Sequence, residues 1–435
     1  MTNAKIAVIG GGIAGLVAAC ELAKEGKPVV VLEKAAQYGG RAMTVQKNGA
    51  LFNLGGHALY RGGEADRIFR ELGLELKGGS PSRNVSVLWN NQVFSLPRFL
   101  FGRNFTWPGR IELMRSLAKL ARIDPHAEDI ASVNVRTWIE QHIREPMVRN
   151  LFYALIRTST FTNAPDLQCA GPALGQIRRT FQNNAVLYVE GGWQSIVDQL
   201  KEKAIRAGAQ LLHSAGVVAI EHDGAVRKLR LSDGAELEVG RVIAAVPPAE
   251  TFRLVRDADR TSLRLWKDQA RPAMVACLDL CLKRLPKPRH KVVLGLDEPV
   301  FFSNQSGPTP SLARDGSVIH VVKYHGVGDH DPKKDEAMLE RVMDIVQPGW
   351  RKEIVARRYL PNMTAAGDYM HMGRQDRTPG PAVPEIRGLY VAGDWVSHGE
   401  LLVDSAAASG RRAAQQLLND LRIENRLSQL SGLAG

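Results

Sequence analysis

Three glycines at positions 10, 12 and 15 and a carboxylate at position 33 are the first residues in the chain whose types and spacing suit a chemical task. Gly10-x-Gly12-x-x-Gly15 lies between an apolar run, Lys5 to Ile9, and a stretch of helical character, Leu16 to Glu25. In that setting Gly10 permits a tight turn, Gly12 lets the backbone approach a pyrophosphate, and Gly15 lets the helix pack closely on the strand. The start of the helix, Ile13 and Ala14, presents N–H groups that no carbonyl of the helix can reach, and these face the phosphates. Glu33 closes the next apolar run, Pro28 to Glu33, with Lys34 beside it. A carboxylate there accepts from a ribose 2′-OH, and its charge disfavours an adenosine that carries a 2′-phosphate. The chemistry implied is dinucleotide binding, with NAD and FAD equally allowed at this point.

Further glycine pairs narrow the choice. Gly39-Gly40-Arg41 follows the second run, Gly55-Gly56-His57 comes a short hairpin later, and Leu389-Tyr390-Val391-Ala392-Gly393-Asp394 precedes the small-residue stretch Ser405 to Gly410. Together these segments resemble the flavin-containing amine oxidase and phytoene desaturase superfamily. The resemblance implies non-covalent FAD, with Gly40 and Arg41 passing its phosphates and Gly55, Gly56 and His57 near the isoalloxazine. It also implies that Gly393 and Asp394 meet the ribityl or phosphate region, and that Leu402 and Val403 open a helix aimed at the flavin's pyrimidine edge. A helix N-terminus there stabilises negative charge on the reduced ring. Gly191-Gly192-Trp193 resembles the family's turn into a helix, and Val217-Val218 the strand whose backbone meets the adenine. Asn53, where an acid is common, and Asp404-Ser405, where a Glu-Gly pair is common, depart from the pattern. The closing region has no cysteine, which argues against a cysteinyl-flavin bond.

The substrate side carries fewer signals. His57 is the candidate for acid or base work; the other reading is a histidine that bonds backbone and shapes the cavity. Nucleophile elbow, HExxH and P-loop patterns are missing. His325, Asp329, His330 and Asp331 stand near Gly326 and Gly328 and read as a polar surface loop, with no metal expected. No lysine can be assigned to the place near N5 that amine oxidases fill. Lys283 is the nearest candidate, and the pair Lys283-Arg284 reads as solvent-facing. The resulting expectation is an FAD-dependent oxidoreductase that removes hydride from an apolar, isoprenoid-like substrate. Amine oxidation, redox-neutral isomerisation and a purely structural flavin are the rivals.

The elements that must position these residues are α/β in class: a Rossmann-type FAD-binding domain with an inserted mixed α+β substrate domain. The cofactor domain is expected from residues 1–80, 186–255 and 376–424, the substrate domain from 81–185 and 256–375, and a loose tail from 425–435. Strands are expected at Val217 to Ile220, Val226 to Leu231 and Glu236 to Ala245, and a hairpin at Val85 to Ser95. Helices are expected at Pro108 to Arg122, Val133 to Thr158 and Leu402 to Leu418. Residues 96–122 mix aromatics with cations. They suit either peripheral membrane contact or core packing through Ile111, Met114, Leu117, Ala118 and Ala121.

Cys20, Cys169, Cys277 and Cys281 are scattered and read as reduced thiols, with Cys277 and Cys281, on one face of a strand, expected to be buried. Fifty-seven Lys and Arg against 45 Asp and Glu give a net charge of +12, which favours anionic partners without choosing one. No RNA or DNA motif accompanies the charge, so nucleic acid is not expected. The absence of a signal-like segment after Met1 to Lys5 and of a long apolar run points to a cytoplasmic protein, membrane-peripheral if residues 96–122 touch lipid.

Overall fold

The computed structural model describes residues 5–328, 330–374 and 378–433. Five short strands form a parallel sheet in the spatial order Gln210–Leu212, Val29–Leu32, Ile6–Ile9, Arg241–Ala244, Leu389–Val391. Ile6–Ile9 and Val29–Leu32 are buried throughout, and their unbroken apolar sequence follows from a sheet covered on both faces. Helices Ile13–Lys24, Gln194–Arg206 and Val403–Leu433 cover one face. The antiparallel meander Val217–His222, Val226–Leu231, Glu236–Glu238 covers the other. This is the expected α/β architecture with its Rossmann-type opening.

A second sheet of seven strands runs in the order Ile354–Ala366, Ala273–Leu282, Ser317–Tyr324, Val300–Asn304, Val292–Gly295, Val85–Trp89, Gln92–Ser95. Helix Pro332–Val346 packs on one face, and helices from Leu96 to Thr180 form a separate apolar cluster around Trp138, Phe152 and Leu174. Alternation along Ala273–Leu282 turns Leu278, Leu280 and Leu282 toward Pro332–Val346 and places Cys277 and Cys281, both buried, on the other side. The hairpin Val85–Trp89, Gln92–Ser95 turns through Asn90 and Asn91, both at positive φ.

Several expected elements differ. The helix expected over Val133 to Thr158 is two, Val135–His142 and Pro146–Thr160, because Pro146 cannot donate into a continuing helix and instead begins the second. Asn134 caps the first, its Oδ1 accepting from Thr137 N at 2.7 Å. The strand expected over Glu236 to Ala245 divides into Glu236–Glu238, in the meander, and Arg241–Ala244, in the parallel sheet. The tail expected from 425 is helical: Val403–Leu433 is one element, carried past its last core residue, Leu418, by helix-forming polar residues.

Helix Trp107–Arg122 buries Gly109, Leu113, Ser116 and Leu120, and leaves Ile111, Met114, Ala118 and Ala121 exposed. Of the stripe offered for core packing, only Leu117 packs on the core, half-buried; the other four residues face outward. No helix among the described residues is long and apolar enough to cross a membrane.

Candidate active site

A cavity of about 780 Å³ opens between the parallel sheet and the seven-stranded sheet. Its wall brings together Gly10, Gly12, Ile13, Ala14, Glu33, Lys34, Gly40, Arg41, Gly56, His57, Val217, Gly393, Asp394, Leu402 and Val403. Gly15, Gly55 and Val218 are not on it. At Gly15 a Cβ would lie 2.0 Å from Gly10 O, so this glycine serves the packing of helix on turn. At Gly55 a Cβ would lie 2.5 Å from the Met363 side chain. The Val218 side chain turns to solvent as its neighbour Val217 turns inward. Gly10 itself has φ +102° and sits where a Cβ would meet Ala245 O at 2.6 Å, so a side chain there is excluded twice.

The donor set along this groove suits an anionic dinucleotide. Gly12 and Gly40 present bare backbone, for a Cβ on either would meet nothing nearer than 3.8 Å, and helix Ile13–Lys24 aims its free N–H groups at the same space. Glu33 is buried and held in place by two backbone donors, Gly11 N at 2.7 Å and Ala35 N at 2.8 Å. At the other end Arg41 grips Asp394 through two hydrogen bonds of 2.6 and 2.7 Å, and Gly367 N donates to the same carboxylate at 2.8 Å. The two departures from the family pattern have structural roles. Asp404 accepts from Ala65 N at 3.0 Å and from Arg179 at 2.5 Å, while Ser405 Oγ donates to Asp394 O at 2.8 Å. Asn53 Oδ1 accepts from Trp193 N at 3.0 Å and thereby holds the Gly191-Gly192-Trp193 turn.

His57 sits with Nδ1 3.1 Å from Gly55 O and Nε2 3.0 Å from Arg41 O. A neutral imidazole can donate to one of these carbonyls. Burial pushes its pKa down to about 4, so the neutral ring is the form present near neutral pH. Both ring nitrogens face backbone, as in the second of the two readings of this residue. Its own carbonyl accepts from Gln305 Nε2 at 3.0 Å, and its ring lies 5.5 Å from that of Trp193.

Comparison with known proteins shows the family of the chain. Residues 13–418 match the family of flavin containing amine oxidoreductases. The chain belongs to this family. A protein of Mycobacterium tuberculosis that carries the name flavin-containing monoamine oxidase AofH is 28% identical over 276 residues, 58% of this chain and 59% of that protein, so the match spans well under two thirds of that relative. The 15-cis-phytoene desaturase of Narcissus pseudonarcissus is 20% identical over 99% of this chain and 82% of its own length. Among solved structures, an oxidoreductase from Methanosarcina mazei superposes with a TM-score of 0.77 at 18% identity, covering 95% of this chain and all of its own.

At the His57 end of the groove the wall is Ala58, Phe161, Met363, Thr364 and Ala365. Lysines on the cavity wall among the described residues are Lys34, paired with Glu250 at 3.7 Å, and Lys267, whose Nζ lies 4.9 Å from the centre of the Phe252 ring. Lys283 is exposed at the end of its strand. Behind the glycine pair lies a polar row that sequence reasoning missed. Arg358, Asp279, His320 and Ser303 stand side by side on four adjacent strands of the large sheet. Asp279 Oδ1 meets His320 Nδ1 at 2.6 Å, its Oδ2 accepts from Arg358 at 2.6 and 3.0 Å, and a Cβ on Gly56 would lie 3.7 Å from His320. Arg358 and His320 hold the Asp279 carboxyl below its ordinary range against the opposing effect of burial. Arg358 also donates to Asn53 O, which ties the row to the segment that carries Gly55 and Gly56. The available signal was a lone aspartate in the apolar run 273–282 and a lone histidine in 317–322.

The histidine loop differs from expectation. His325 is buried, stacks on His330 at 3.8 Å and lies 3.0 Å from Asp335, while Asp331 caps the following helix; Asp329 lies outside the described residues. The Lys323 ammonium pairs with Asp335, so the cluster already has a cation of its own.

Proposed function

We propose that the protein holds FAD non-covalently and removes hydride from a C–H bond of an apolar, isoprenoid-like substrate. The observation that carries this reading is the chemistry of the cavity wall. Its acids are Glu33, bonded to backbone N–H groups, Glu250, paired with Lys34 and Arg253, and Asp394, gripped by Arg41. Glu250 and Asp394 already have cation partners and Glu33 is taken by the adenosine ribose, so a substrate ammonium would find no acid left to it, whereas Ala58, Phe161, Met363 and Ala365 suit hydrocarbon. None of Cys20, Cys169, Cys277 and Cys281 lines the cavity, and the Cys277 thiol is pushed far up by burial, so no thiolate stands ready to bond a flavin.

When bound, the flavin supplies the electron sink, and the electrons leave to oxygen or to a membrane acceptor. The chain supplies position. Gly12, Gly40 and the start of helix Ile13–Lys24 receive the pyrophosphate, and Glu33 receives the adenosine ribose. The start of helix Val403–Leu433, turned by Leu402 at φ +57°, directs its positive end at the ring. His57, donating to the carbonyl of Gly55 or to that of Arg41, would hold the backbone beside Gly56, which lines the cavity. Near neutral pH it is uncharged and moves no proton.

Acid precipitation followed by chromatography tests the cofactor; flavin retained in the pellet would refute non-covalent binding. Anaerobic mixing with isoprenoid hydrocarbons and, separately, with aliphatic amines tests the substrate through loss of flavin absorbance. Reduction by amines alone would overturn the apolar reading in favour of amine oxidation, and a product of unchanged mass would identify isomerisation.

A further inference from the structure

Helix Trp107–Arg122 is apolar on two opposite faces. Gly109, Leu113, Ser116 and Leu120 face the core, and Trp107, Ile111, Met114 and Ala118, each two residues earlier, lie about 200° round the helix. The outer set is bare: Trp107 is 73%, Ile111 50% and Met114 69% exposed, and Phe101 on the preceding helix Leu96–Phe101 is 76% exposed. Arg110 joins the two aromatic rings into one patch, its guanidinium 5.7 Å from the Phe101 ring and 4.9 Å from that of Trp107. It is fixed there by hydrogen bonds to Leu100 O at 2.8 Å and Gly102 O at 3.1 Å.

Cations surround this ridge. Arg98, Arg103, Arg110, Arg115, Lys119 and Arg122 all fall within residues 96–122, and none has a carboxylate within 4.0 Å among the described residues. The segment's single acid, Glu112, is turned away and accepts from the backbone N–H groups of Arg144 and Glu145 at 2.7 and 2.6 Å.

We propose that this face docks on a membrane surface that carries anionic lipid, with Phe101, Trp107, Ile111 and Met114 entering the acyl boundary and the arginines meeting headgroup phosphates. Charge complementarity selects this occupant. A second copy of the chain, meeting this patch with its own across a two-fold axis, would set cations against cations with no acids to answer them. A nucleic acid would answer the charge and leave four large apolar side chains in water. The assignment is independent of the substrate reading, and either can fail while the other stands.

The test is sedimentation of the flavin-loaded protein with phosphatidylcholine vesicles, with and without phosphatidylglycerol. The expected result is pelleting only with the anionic vesicles, a blue shift of tryptophan emission, and release by salt. The variant Trp107→Ser/Met114→Ser should lose the emission shift and pellet less. Arg103→Gln/Arg115→Gln/Arg122→Gln should lower vesicle affinity about a hundredfold, three cations each contributing roughly fivefold. Both variants change exposed side chains, so unchanged flavin content and melting temperature verify that they fold. Equal pelleting with both vesicle types, no pelleting with either, or variants that bind as well as the parent would overturn the proposal. So would duplex DNA binding as tight as vesicle binding at the same salt, or self-association of the parent that the apolar variant abolishes.

Discussion

Arg41 and Asp394 meet across 353 residues of chain, and their two-pronged contact lies on the cavity wall. Asp394 is buried, so Arg41→Ala leaves a carboxylate with the Gly367 N–H and no counter-ion. That variant should lose roughly 3 kcal/mol of stability and most of its flavin, whereas Arg41→Lys keeps the charge but not the fork and should fall between. Denaturant midpoints and the ratio of visible to ultraviolet absorbance measure both effects, and an Arg41→Ala protein with full flavin and an unshifted midpoint would contradict the account. His57 makes a different prediction because its pKa lies at about 4, below the 6.5 of an unfolded histidine. Between those values the unfolded chain binds a proton that the folded one refuses. Its contribution is therefore full above about pH 6.5 and declines as pH falls toward about 4. His325, pushed down to about 4 by burial, adds a second contribution of the same sign. His57→Gln should thus flatten the acid limb of a stability-against-pH curve without removing it. It should leave the shape of the kcat/KM profile between about pH 6 and 8 unchanged, since a ring with a pKa of about 4 has no titration to lose there. A missing limb in that profile would return His57 to acid–base work.

Elements place these residues, and one crossing has little slack. Gly410, in the closing helix, lies where a Cβ would come within 2.2 Å of Ala14 O in the opening helix, so the two backbones touch. Gly410→Val should force the helices apart, with a loss of about 3 kcal/mol. It should also shift Leu402 and Val403, eight and seven residues earlier where the helix begins, and so reduce flavin content more than a surface change of equal size. Retention of flavin at an unaltered melting temperature would show that the crossing is loose. Turns of this kind are legible without a structure, because Gly10 and Gly15, five residues apart, answer backbone demands that only glycine meets. Other features come from longer range. The break at Pro146 competes with an apolar periodicity that continues across it. The helix beyond Leu418 exposes Ile423, Leu427 and Leu430, so no buried stripe announces it. The row Arg358, Asp279, His320, Ser303 depends on the register of four strands, which single-strand patterns do not specify.

At the scale of the whole molecule, the cavity is walled by residues from Ile9 to Ala406 that come from both sheets and from the closing helix. A ligand seated there stabilises all of these segments together, since it binds the assembled wall and not the unfolded chain. With free flavin at a hundred times its dissociation constant the gain is about 2.7 kcal/mol, a rise in melting temperature of several degrees for a chain of 435 residues. Removing the flavin should therefore lower the melting temperature by about that much, and adding FAD to the apoprotein should restore it. FMN offers the ring and one phosphate but nothing to Glu33, Lys34 or Val217, so it should restore only part of the shift. Full recovery with FMN would mean that the adenosine end of the groove contributes no binding, and Gly10-x-Gly12-x-x-Gly15 with Glu33 would then be a structural turn. Partial recovery with FMN and full recovery with FAD would place the binding energy at both ends. One ligand would then join the βαβ opening, the Arg41–Asp394 contact and the start of the closing helix into a single cooperative unit.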